Sequence, residues 1–151
     1  MRLLFLVFMA ALLCGAPAQA ATGRILKVLP HYLDKEGRTA LSPSLFERDA
    51  YQAKLRAAPK LRGGLRFSVQ WKTRQVTEPV TVKVELRGTA EAAYPKMLEI
   101  EGLVQPAGFF NKWTELDLRG QDYKDFGEVT AWRVTLWRAE ELLAEQKSFL
   151  W

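Results

Sequence analysis

The stretch Val129–Trp151, VTAWRVTLWRAEELLAEQKSFLW, carries three of the five tryptophans and reads as two strands folded on a short turn. In its first arm Trp132, Val134 and Leu136 alternate with Ala131, Arg133, Thr135 and Trp137, a period of two that sets them on opposite faces of a strand. A helix would need apolar residues three and four apart. Here β-branched and aromatic residues recur at spacing two, so pattern and propensity agree on strand. Arg138 to Glu141 supplies the turn. In the second arm Leu142, Ala144, Ser148 and Leu150 share one face and Leu143, Phe149 and Trp151 the other, which leaves the buried face open. Since an isolated hairpin is only marginally stable, other strands must pack around this one.

Those strands are legible upstream. Leu65, Phe67, Val69 and Trp71 alternate with Arg66, Ser68, Gln70 and Lys72, and Val80, Val82, Val84 and Leu86 repeat the pattern. Arg24 to Leu33 is a first strand whose Pro30, lacking an amide donor, suits an edge or a bulge. Met97 to Val104 and Trp113 to Arg119 add two more, with Gly102, Pro106, Gly108 and Gly120 as breaks. Ser42-Pro43-Ser44 opens a short helix, with Ser44 and Glu47 at capping-box spacing. It runs to about Ala57 before Pro59, with Phe46, Ala50, Ala53 and Ala57 on one apolar stripe. The expectation is an all-β, roughly seven-stranded antiparallel sandwich with one short helix inserted between the first two strands.

With Trp71 as an inward tryptophan and the Trp132-x-Val134-x-Leu136 strand leading into a last hairpin, residues 24–151 resemble an immunoglobulin-like or fibronectin-III-like sandwich. The chain departs from that pattern in lacking a cysteine pair and in carrying the inserted helix at 44–57. The resemblance implies a fold and no activity, because such sandwiches host many unrelated functions.

At the other end Arg2 precedes an apolar run from Leu3 to Leu13, then Gly15, Pro17 and Ala18-Gln19-Ala20, the layout of a cleavable secretory signal cut after Ala20. The run is shorter than the roughly 20 residues a spanning helix needs. Cys14 stands where a lipoprotein signal would place its acylated cysteine, but Leu13 occupies the position that wants a small residue. The expected organisation is a signal peptide at 1–20 and one sandwich domain at 21–151, exported to the periplasm or beyond, bacterial in style. Losing residues 1–20 removes Arg2 and the only cysteine, leaving neither a disulfide nor a thiolate, and lowers the formal net charge of +5 by one.

No cluster amounts to a catalytic signature. His31 is the only histidine and has no nucleophile on a sharp turn near it; several-imidazole metal binding is excluded by number. Glu99 with Glu101, and Glu115 with Asp117, place two carboxylates on one strand face about 6.6 Å apart, near an inverting-glycosidase separation but also the look of any solvated strand face. Asp122, Asp125 and Glu128 do not match a calcium loop, and Lys124 intrudes; they read as turn and capping residues. Arg66, Lys72, Arg74, Lys83 and Arg87 alternate along strands without the clustering that nucleic acid requires. A terminal aromatic after Phe149 resembles the last strand of an outer-membrane barrel, but Glu145 and Lys147 interrupt the lipid-facing row.

The segment Pro106 to Trp113, PAGFFNKW, is the one place where aromatics crowd a loop. Phe109, Phe110 and Trp113, exposed, would stack on sugars or anchor a protein; turned inward, they would plug the end of the sandwich. The sequence therefore favours a non-catalytic exported sandwich with a protein-interaction or structural role and no cofactor, with carbohydrate binding through those three aromatics, or a carboxylate hydrolase, as the alternatives.

Overall fold

Strict alternation in two central strands builds the molecule. In the computed structural model, which describes residues 22–89, 96–106, 108 and 110–151, β2 (Arg62–Arg74) buries Leu65, Phe67, Val69, Trp71 and Thr73 on one side. β3 (Val80–Gly88) buries every second residue from Val80 to Gly88. Each large side chain fully buried in these rows contributes roughly 1.5–3 kcal/mol.

Around them stand β1 (Thr22–Asp34), β4 (Lys96–Val104), β5 (Lys112–Arg119), β6 (Val129–Arg138) and β7 (Glu141–Lys147). They form two antiparallel sheets, β1-β2-β5 and β4-β3-β6-β7, whose apolar faces share one core. The indole Nε1 of Trp71 donates to Thr114 Oγ1 at 2.8 Å inside it, so the largest buried side chain leaves no polar atom unpaired. Glycine marks both seams between the sheets. A Cβ on Gly23 of β1 would lie 2.7 Å from that of Leu143 on β7, and one on Gly102 of β4 would lie 3.0 Å from Leu116 Cδ2 on β5.

The final hairpin turns at Ala139–Glu140, within the expected span. Its undecided second arm is settled by a bulge: Leu136 pairs with Ala144 but Trp137 with Leu142, so Leu143 is the extra residue and both Leu143 and Ala144 reach the core. Beyond β7, Ser148 continues the pairing, since its N–H donates to Trp132 O and its Oγ accepts from Trp132 N. Phe149 projects into solvent, whereas Trp151 folds back under the guanidinium of Arg87, 4.0 Å from the ring centre.

Among the described residues two α-helices are present where one is expected, besides a 3-10 turn at Pro59–Leu61. The first, α1 (Leu45–Ala57), has the expected bounds and Ser44 cap, but faces the other way. Phe46 is 84% exposed and Ala50, Ala53 and Ala57 face solvent, while Gln52 and Leu55 are buried. Three alanines offer little area to bury. Gln52 offers more: its Oε1 accepts from Tyr32 N at 2.8 Å, and its Nε2 donates to Tyr32 O at 2.9 Å and Thr39 O at 2.8 Å. The amide thus stands in for a neighbouring strand at the open edge of β1, which confirms the edge position implied by Pro30. The second helix, α2 (Gly120–Phe126), replaces the expected turn, and Phe126 at its end is buried in the core.

Replacing Gln52 by Leu would leave the Tyr32 N–H and C=O and the Thr39 carbonyl without partners. We expect this variant to lose about 2–4 kcal/mol of stability, measured by urea unfolding, although the new side chain is more apolar.

Candidate functional site

The register of β1, β2 and β5 fixes the outer face of the three-stranded sheet, because directly opposed residues point to the same side. From one end its rows are His31, Arg66 and Asp117; then Leu29, Ser68 and Glu115; then Lys27, Gln70 and Trp113. The last two rows, Arg24 with Lys72 and Thr22 with Arg74, have no β5 partner. Trp113 is 47% exposed beside Gln70, and Phe110, just before β5, is 81% exposed. Neither therefore plugs the sandwich. Phe109 lies outside the described residues.

Charge divides this face in two. In the first half Arg66 clamps Asp117 through two bonds of 2.7 and 2.9 Å and reaches Glu115 at 3.0 Å, while Arg119 reaches Asp117 at 2.6 Å. Burial alone would raise the Asp117 carboxyl, but the hydrogen bonds and charges of Arg66 and Arg119 outweigh it and hold the group below its ordinary value. In the second half the side chains of Arg24, Lys27, Lys72 and Arg74 have no ion-pair or hydrogen-bond partner among the described residues. Arg24 lies directly opposite Lys72.

At this corner a basin of about 310 Å³ is lined by Thr22, Gly23, Arg24, Lys72, Thr73 and Arg74. Thr73 belongs to the inner row of β2: it is only 1% exposed, and its Oγ1, the one buried side-chain polar atom without a hydrogen-bond partner among the described residues, faces away from these cations. Sequence reading missed this cluster. Lys72 and Arg74 look like ordinary strand alternation until β1 brings Arg24 across from them.

The other candidates resolve into structural roles. Glu99 and Glu101 both hold the Lys83 ammonium at 3.1 Å, and Glu115 with Asp117 hold Arg66, so each carboxylate pair serves as an ion-pair partner. Burial, with the nearby Arg48 charge, pushes the His31 imidazole below its ordinary value, favouring the neutral form. Asp122 and Asp125 lie on α2, where Gln121 Nε2 donates to Asp125 Oδ1. No group of three or more acidic, histidine or cysteine side chains suited to a metal occurs among the described residues.

Glu128 instead joins a lock between the elements. It accepts from the Tyr32 hydroxyl at 2.7 Å and from Arg62, whose guanidinium sits 3.9 Å over the Tyr32 ring and donates to the Leu55 and Arg56 carbonyls. Arg62 so ties the C-terminus of α1 to the start of β2, where a cation also suits the helix dipole.

No protein-family model matches the chain, and neither does any curated protein. Among solved structures, a crystal structure from Akkermansia muciniphila aligns over 89% of this chain and 73% of its own, with a TM-score of 0.54 and 10% identity. That likeness concerns the fold: the chain is an all-β sandwich of two antiparallel sheets. Among the described residues no helix is long and apolar enough to cross a membrane.

The lock carries a pH signature. Burial first, and then the hydrogen bond to Glu128, raise the Tyr32 phenol from its ordinary 10.0 to about 12. Its contribution to stability is fully present below pH 10 and is lost as pH rises towards 12, because the unfolded chain releases that proton first. Urea midpoints should fall across this window, and a Tyr32→Phe variant should show a shallower fall.

Proposed function

We propose that this chain is an exported, non-catalytic binding module of the immunoglobulin-like or fibronectin-III-like kind, acting in the periplasm or outside the cell. It engages a glycan through the outer face of the three-stranded sheet. The observation that carries this reading is the solvent-exposed Trp113 ring, set on a strand beside Gln70 with Phe110 nearby. A flat ring flanked by amide, hydroxyl and ammonium groups suits sugar, whose faces are apolar and whose rim is polar. A protein hot spot would surround the ring with further apolar side chains, and here the neighbours are Lys27, Ser68, Gln70 and Glu115.

Strand addition to a partner is the weaker interaction mode. Gln52 covers part of the β1 edge, and the β7 edge presents Glu145 and Lys147. The sheet order supports the immunoglobulin-like assignment: the strand following the third joins the third, as in variable-type domains, rather than the sheet of the first and second. The apolar run before Ala18-Gln19-Ala20 supports export.

A Phe110→Ala/Trp113→Ala protein, screened on immobilised glycans, should lose affinity by about tenfold or more, equivalent to about 1.4 kcal/mol. Because both rings are exposed, its unfolding midpoint should stay near that of the parent. Unchanged binding by a folded double variant would remove this face from recognition.

A further inference from the structure

We propose that the corner of Arg24, Lys72 and Arg74, with Lys27 beside it, binds the acidic groups of a polysaccharide whose sugar rings lie on Trp113. This rests on the glycan-binding reading and adds the ligand's charge.

Pairing of the other strand cations sets the corner apart. On the same face Arg66 has Glu115 and Asp117, and on the other sheet Lys83 has Glu99 and Glu101 while Arg133 has Glu85. Like charges directly opposed across strands are unfavourable. Yet Arg24 faces Lys72 with Arg74 one row on, and none of them has an acidic partner among the described residues. An arrangement that costs the free protein stability is explained if an anion completes it.

The geometry points to carboxylate or sulfate. Two arginines, Arg24 and Arg74, are among the residues lining the basin, and arginine binds planar or tetrahedral oxyanions through paired N–H donors. Successive rows on a strand are roughly 6.6 Å apart, so the Trp113 row and the Arg74 row are separated by roughly 13 Å. A linear polymer bridges that distance, whereas a free ion would occupy the basin alone. Single-stranded nucleic acid would need further stacking platforms along the stripe, and beyond Trp113 the stripe carries only cations and Thr22.

The test compares binding of polygalacturonate, dextran sulfate, neutral dextran, single-stranded DNA and inorganic sulfate to the parent protein, Lys72→Gln/Arg74→Gln and Trp113→Ala. At least one acidic polysaccharide should bind better than neutral dextran, weaken with added salt, and lose about tenfold on either substitution. The Lys72→Gln/Arg74→Gln variant should unfold at the parent's temperature or above, since repulsion is relieved; a structural role would lower it.

Equal binding of acidic and neutral polymers, or full acidic binding by Lys72→Gln/Arg74→Gln, would overturn the anion site while leaving a Trp113-dependent glycan reading standing. DNA binding as tightly as the glycans and indifferent to Trp113→Ala would overturn both in favour of a bare polyanion patch. Inorganic sulfate binding as tightly as the polymers would make the ligand a small ion. Binding of none of these polymers would overturn both readings.

Discussion

Two buried rows, Leu65-Phe67-Val69-Trp71 on β2 and Val80-Val82-Val84-Leu86 on β3, enter one core from opposite sheets, and the other elements are placed around it. Facing sheets pack about 10 Å apart, a gap that side chains must fill completely. Trp71 fills much of it, and its one polar atom is met by Thr114 on the neighbouring strand. With β2 central in one sheet and β3 between β4 and β6 in the other, their outward faces remain free for charge.

What remains is the treatment of edges. β1 is bounded by the seam with Leu143 at one end and by the Gln52 amide towards the other. The side chain of one buried residue thereby satisfies both the donor and the acceptor of Tyr32, which water would otherwise have to solvate. The Arg62 guanidinium closes α1 onto the same region, so the inserted helix acts as an edge cover and leaves the outer face at the Trp113 end uncovered. That division leaves a face, rather than an edge, open to solvent.

The strands could be read from sequence because one side of each is wholly buried and the period of two is undisturbed from Leu65 to Trp71 and from Val80 to Leu86. Reading failed where a local rule met a tertiary one. In β7 the bulge at Leu143 breaks the period, so neither alternating set describes the buried face. In α1 the apolar stripe lost to Gln52 and Leu55, since a hydrogen-bonded amide at an open strand edge outweighs three alanine methyls. In α2 only Phe126 and Tyr123 turn inward, too few to show a helical period. The exposed aromatics were visible as a loop cluster, but the cationic corner was not: its members sit on two strands, and only the β1–β2 register makes Arg24 and Lys72 neighbours.

That corner is tolerable because surface charge is cheap and core packing is not. Two unit charges about 6 Å apart in water repel by about 0.7 kcal/mol, and salt reduces this further. One fully buried large apolar side chain contributes roughly 1.5–3 kcal/mol. The sandwich has a long row of such side chains on each central strand, so it sustains the small cost of leaving Arg24, Lys72 and Arg74 unpaired. The same arithmetic reverses when an anion enters the basin. On the proposed reading, three neighbouring cations would then act together on one group that displaces water from between them, each interaction strengthening as the local dielectric falls. On the proposed reading, a charge pattern of small cost in folding would thus become decisive in binding, and the outer face of this sheet could acquire specificity without altering the core that holds it.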